Sequence, residues 1–240
     1  MVEVLTPTPE QQITELGTIL MLTKDPKSPI WKAGIEVEAE TFIESDYVKS
    51  AAELQAEYRP YLSETSVLAA SRDGEVVGGG RVISYNPEVG FKTFHDIDEN
   101  RLELSEKGKE ILKNIDPQHM MEIGTLGIKK EWRKMPGVRT GINLEMYGAI
   151  WAISTKNNTP YILASFDGRY FERFSRYFGG SVKPLGPAID YMGSLTVPVI
   201  MNLEETYANL TETNPELLAV LDGARQKLSY EHRSHSTDDQ

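Results

Sequence analysis

The chain contains no cysteine, so a disulfide framework, thiolate metal ligands and a cysteine nucleophile are excluded together. Positive charge is scarce as well. Against 36 Asp and Glu stand 25 Lys and Arg, a net charge of −11. Such a balance repels nucleic-acid phosphates and anionic membranes, so neither is expected as a partner and any anion site has to be local. Long apolar runs are missing: no stretch reaches 18 residues, and "MVEVLTPTPEQQITEL" has neither the basic start nor the apolar core of a signal peptide. A cytoplasmic location is the expectation. The four histidines, His95, His119, His232 and His235, show no metal-ligand spacing, and no metal is expected. No G-x-x-x-x-G-K-[ST] occurs, and the triple glycine Gly78–Gly80 lies inside an apolar run instead of opening a helix. A nucleotide triphosphatase or a dinucleotide-dependent dehydrogenase is disfavoured.

What remains is a 240-residue chain with 40% apolar residues, enough for a real core. No internal repeat interrupts it. One domain is expected over residues 1–225, with a helical N-terminal segment and a disordered polar tail over 226–240, which ends "SYEHRSHSTDDQ". Apolar spacing predicts helices in "TPEQQITELGTILMLT", "GIEVEAETFIES" and "SAAELQAEYRPYL". The period then shortens. "SVLAASRDGEVVGGGRVISYNP" reads as two strands, at about 66–71 and 75–85, turned by Asp73-Gly74. "LSEKGKEILKNI" is a surface helix capped by Ser105, and "MMEIGTLGIKKEW" another strand. Next come a helix in "NLEMYGAIWAISTKNN", a buried strand "YILASF", an amphipathic helix "GRYFERFSRYFGG" and a final strand or pair in "AIDYMGSLTVPVIMNL". This order predicts an α/β (α+β) architecture with a mixed central sheet and helices on both faces.

Between strand and helix sits "EWRKMPGVRTGIN", residues 131–143, basic and glycine-punctuated in an acidic chain. Unpaired N–H groups at a helix start converge on one point with the helix dipole behind them, which suits a pyrophosphate. Arg133, Lys134 and Arg139 would add charge, and Gly137 and Gly141 would let the backbone approach. A solvated surface loop is the alternative. Arg81, a lone cation in an apolar strand, is a candidate to bind a substrate carboxylate, or else is a structural residue of a two-faced strand.

The stretch from "MEIGTLGI" through the loop to "FERFSRYFGG", with the preceding hairpin, resembles the GCN5-related N-acetyltransferase (acyl-CoA N-acyltransferase) fold. Residues 35–203 are more similar to the branch holding autoinducer synthases and N-acyl amino acid synthases, "EVVGGGRVI" resembling their Val-Gly-x-x-Arg-Leu strand and "MEIGTLGI" their Glu-x-x-Arg-x-x-Val strand. The glycine spacing in the loop is longer than the family pattern, Thr125 stands where that strand carries Arg, and Ser175 stands where many acetyltransferases carry Tyr.

The resemblance implies transfer of an acyl group from acyl-CoA, or from acyl-carrier protein, to the amine of a small molecule such as an amino acid. Acyl-CoA is the expected donor, because an acidic carrier protein would be repelled by this surface. Leu126, Gly127, Ile128, Arg133, Lys134, Gly137, Val138, Arg139, Thr140 and Gly141 would hold the acyl-CoA. Glu122, set among Met121, Ile123 and Leu126, is the candidate base, its pKa raised by desolvation; the alternative is a Glu paired with an Arg. Tyr177 is named as a proton donor, although Phe171, Phe174 and Phe178 on the same helix read as core. Two further functions stay open: a catalytically degenerate ligand-binding domain, and an autoinducer-type synthase using S-adenosylmethionine, which Thr125 disfavours.

Overall fold

A computed structural model describes residues 17–133 and 141–231. Among these, nine strands form one mixed sheet. β1 (Ile19–Thr23), β2 (Thr65–Arg72), β3 (Glu75–Ser84), β4 (Met120–Ile128), β5 (Tyr161–Asp167), β6 (Val182–Pro184), β7 (Ile189–Tyr191), β8 (Ser194–Asn202) and β9 (Leu228–Tyr230) line up as β6-β8-β5-β4-β3-β2-β1-β9, with β7 also on β8. β4–β5 and β1–β9 are parallel, and the remaining pairs are antiparallel.

The helices are α1 (Pro29–Glu44), α2 (Ala51–Tyr58), α3 (Lys92–Asp98), α4 (Glu106–Lys113), α5 (Ile142–Asn157), α6 (Gly168–Phe178), α7 (Leu203–Thr213) and α8 (Pro215–Lys227). They cover both faces, and the two-residue period of β2 shows how. Val67 turns to Trp31 and Ile35 of α1, whereas Leu68 and Ala70 join the cluster of Met146 and Ile150 on α5. Among the described residues, no helix is long and apolar enough to cross a membrane.

The Asp73-Gly74 hairpin forms as expected: both residues have positive φ, 52° and 82°, the geometry that matches the twist of the strands it joins. The triple glycine has a packing cause. A Cβ on Gly79 would lie 2.0 Å from the carbonyl oxygen of Gly34, so α1 and β3 meet backbone to backbone at a glycine pair.

Two expectations at the ends are corrected. Ile19–Thr23 is a strand on β2, not the end of a helix, because the exposed edge of the β2–β3 hairpin supplies hydrogen-bond partners that helical spacing cannot outweigh. Residues 1–16, where the rest of that helix was placed, lie outside the described residues. At the other end, order continues past 225: α8 runs to Lys227 and Leu228–Tyr230 pairs with β1. Residues 232–240 lie outside the described residues.

Candidate active site

Strand β4 carries the site because it is bonded to β5 over only part of its length. The parallel ladder covers Met120–Ile123 against Tyr161–Ala164 and goes no further. On its other side, the β3 register slips between Arg81 and Val82, which leaves Gly124 as an extra residue on β4. The Tyr58 hydroxyl at the end of α2 donates to the Gly124 carbonyl at 2.6 Å, and a Cβ on Gly124 would lie 2.8 Å from the Tyr58 ring. From Gly124 onward β4 bends away from β5, which stays paired with β8 as far as Asp167.

Two cavities meet at this opening. The larger, of 390 Å³, is lined from one side of the sheet by Thr41, Phe42 and Tyr47 and from the other by Tyr147, Trp151 and Phe174. Its wall is largely aliphatic and aromatic; Phe174 stands 4.4 Å from Phe178, 5.0 Å from Phe166 and 5.1 Å from Tyr147 between ring centres. The start of α5 opens onto it through Ile142 and Asn143. Gly141 is the N-cap of that helix and offers it no capping side chain, and of the first-turn N–H groups that of Leu144 is taken by the Gly141 carbonyl at 2.9 Å. The smaller cavity, of 70 Å³, is polar, with Lys92, Thr93, Asp96, Glu122, Tyr191, Ser194 and Thr196 among its walls. Phe42, Tyr47, Gly124, Ser165 and Asp167 line both.

Glu122 stands in the wall of the polar chamber, 2% exposed. One oxygen, Oε1, accepts from the Thr93 backbone N–H at 3.0 Å and from the Thr93 hydroxyl at 2.7 Å. The other, Oε2, is buried with no partner. Desolvation pushes its pKa up to about 7, against the two hydrogen bonds from Thr93, which lower it. No Arg pairs with it among the described residues. Thr93 gives its hydroxyl proton to Glu122, so Ser165 is the donor in the 3.2 Å bond between the two hydroxyls. Beside them Lys92 Nζ contacts Asp96 at 2.8 Å, Glu57 at 3.2 Å and the Tyr191 hydroxyl at 2.6 Å.

The other candidate residues are distributed unevenly. Leu126, Ile128 and Arg133 line the large cavity, and Gly127 packs under Thr41 of α1 instead. The Arg133 guanidinium donates to the Ile128 carbonyl at 2.7 Å and to Glu44 at 2.9 Å, so this cation is already shared with an acid. Lys134, Gly137, Val138, Arg139 and Thr140 lie outside the described residues. Arg81 lines neither cavity. It is 3% exposed, its Nε donates to both Glu38 oxygens at 2.7 and 3.0 Å, and its guanidinium stacks on Tyr58. That makes it a clamp between α1 and the sheet, the structural alternative of the two readings of Arg81. Tyr177 is 48% exposed and lines neither cavity. The structure does not bring it to Glu122. Thr125, standing where the resembling strand carries Arg, accepts from the Arg81 backbone N–H at 3.1 Å.

Sequence reasoning missed Tyr47, Thr93 and Lys92. Tyr47 follows the end of α1 and donates to Asp167 at 3.1 Å, while Asp167 caps α6 by accepting from Arg169 and Tyr170. Burial raises the Tyr47 pKa. Among the described residues no group of His, Asp and Glu side chains could hold a metal ion.

A mixed sheet whose central parallel strands part at a bulge, with a helix N-terminus facing the gap, is the acyl-CoA N-acyltransferase fold. Among solved structures it is shared with BjaI, a CoA-dependent acyl-homoserine lactone synthase solved with SAM and isopentyl-CoA, at 15% identity and a TM-score of 0.57 over 91% of this chain and 95% of that one. It is also shared with FeeM, an N-acyl amino acid synthase from uncultured soil microbes, at 8% identity and a TM-score of 0.55 over 82% and 98% of the two chains. The acyl-homoserine lactone synthase LasI aligns at 15% identity and a TM-score of 0.50 over 78% and 90%. No protein-family model and no curated protein matches the sequence.

Proposed function

We propose that this protein is an N-acyltransferase that moves an acyl group from acyl-CoA to the amine of a small molecule by direct attack on the thioester. One observation carries the reading: a buried carboxylate with an unpartnered oxygen, that of Glu122, stands in the wall of a polar chamber that joins a large apolar cavity where β4 and β5 part. A thioester carbonyl at the junction would have its acyl chain in the apolar cavity and an amine on the other side. The exposed edge of β4 from Gly124 to Ile128 would pair with the pantetheine amides as a further strand does. The start of α5 would receive phosphate, with the loop before it.

The chemistry then needs few parts. The amine nitrogen forms a bond to the carbonyl carbon and loses a proton to Glu122 Oε2, and the C–S bond breaks with its electron pair on sulfur. A carboxylate of pKa about 7 is half ionised near neutrality and accepts that proton in the working range. Tyr47, which lines both cavities, would return a proton to the leaving thiolate by giving up its bond to Asp167. The neighbours' activities support this reading, BjaI being a CoA-dependent acyl-homoserine lactone synthase and FeeM an N-acyl amino acid synthase. The 390 Å³ of largely apolar space suits a medium or long chain better than an acetyl group.

Thiol release from acetyl-, octanoyl- and decanoyl-CoA in the presence of small amines, with the amide confirmed by mass, tests this reading. Release that depends on both acyl-CoA and amine supports it. Binding of acyl-CoA with no amine-dependent release would instead describe a ligand-binding domain.

A further inference from the structure

The polar chamber selects its occupant by which hydrogen-bonding groups are already taken. An ammonium has three donors, and Lys92 directs its own at Asp96, Glu57 and Tyr191. Asp96 is balanced in turn, with Arg101 at 3.0 Å and the Tyr191 hydroxyl donating at 2.7 Å. The hydroxyl of Tyr58 is committed to the Gly124 carbonyl, that of Tyr47 to Asp167, that of Thr93 to Glu122 and that of Ser165 to Thr93. Ser194 and Thr196 share one bond at 3.1 Å, and the Thr196 hydroxyl has the Ser194 and Tyr191 carbonyls at 3.4 and 3.5 Å as acceptors, which leaves Ser194 the donor between the two hydroxyls. What is left over is an acceptor: Glu122 Oε2, nine-tenths and more buried and without a partner.

A ligand carboxylate entering such a chamber would lose its water and find an acid opposite it with the side-chain hydroxyl and ammonium donors of the chamber already engaged, an arrangement that disfavours binding. Arg81, which a carboxylate-bearing acceptor would need, is locked to Glu38 away from both cavities. An amine meets the opposite situation, since its N–H groups satisfy the orphan oxygen. We infer that the acceptor is a small primary amine recognised through its N–H donors, such as an alkylamine or amino alcohol, and not an α-amino acid held by its carboxylate. This inference rests on the N-acyltransferase reading, and the chamber volume of 70 Å³ keeps the acceptor small.

Matched pairs that differ by one carboxylate provide the test. With the full-length protein and decanoyl-CoA, thiol release is followed with ethanolamine against serine, isobutylamine against valine, and with serine methyl ester and S-adenosylmethionine. The expected result is a kcat/KM for each amine at least roughly tenfold above that of its amino acid. Serine methyl ester should return to the level of ethanolamine, and S-adenosylmethionine should fall with the amino acids. Amino acids that match or exceed their decarboxylated partners would overturn the inference and leave the transferase reading standing. Decanoyl-CoA that stabilises the protein against heat but releases no thiol with any acceptor would overturn both.

Discussion

Thr93 satisfies one oxygen of Glu122 twice, through its backbone N–H and its hydroxyl, and leaves the other oxygen bare. Both bonds favour the carboxylate, and burial favours the acid by more, so Glu122 is raised from 4.5 to about 7. A base of that pKa gives kcat/KM an acidic limb near pH 7. Thr93→Val removes the hydroxyl bond and keeps the size of the side chain, so the limb moves to higher pH. A pH–rate profile of the variant that is unshifted would separate Glu122 from the proton transfer.

The same carboxylate is a stability cost at alkaline pH. Its folded pKa is raised, so its stabilising contribution is whole below pH 4.5 and is lost as pH climbs through about 7. Above that range the buried charge costs on the order of 3 kcal/mol. Glu122→Gln should therefore melt higher than wild type at pH 8 and nearly level with it at pH 5. Thermal melts at both pH values decide this, and a variant less stable at pH 8 would contradict it.

The Arg81–Glu38 pair is buried on both sides, 4% and 0% exposed at the side chain. Removing one partner strands the other charge in the core, so Arg81→Met and Glu38→Leu should each lose about 3–5 kcal/mol in urea titrations. The double variant should recover much of that loss. Additive losses would mean that each side chain acts through packing alone.

Close backbone approach makes a sharp prediction at Gly79. A Cβ there meets the Gly34 carbonyl oxygen at 2.0 Å, whereas one on Gly180 meets nothing within 4 Å. Gly79→Ala should destabilise by about 3 kcal/mol, and Gly180→Ala should leave the melting temperature unchanged. The β2–β3 hairpin, the Ser105 cap and the α6 stop at Gly179 were legible because each depends on local chemistry: a positive-φ turn, a side-chain oxygen, a glycine. Gly79 was not, because its neighbour Gly34 is far away in sequence. The site divides in the same way. Glu122 stood out as a carboxylate among apolar residues of one strand, but its burial was not legible there, and most of the glycine loop lies outside the described residues. Thr93, Lys92 and Tyr47 reach Glu122 or the junction only through the packing of α3 and the α1–α2 turn against β4 and β5. The choice between the two readings of Arg81 could not be made because its partner Glu38 sits on another element, and the place of Tyr177 could not be fixed because helical spacing alone does not show which side of α6 faces the cavity.

Transfer of the amine proton to Glu122 is checked by comparing thiol release from decanoyl-CoA and ethanolamine in wild type and Glu122→Gln, alongside calorimetric binding of decanoyl-CoA to each. Binding should stay within about threefold of wild type while kcat falls by roughly 10²–10³-fold. A Glu122→Gln protein that binds and turns over like wild type would contradict it.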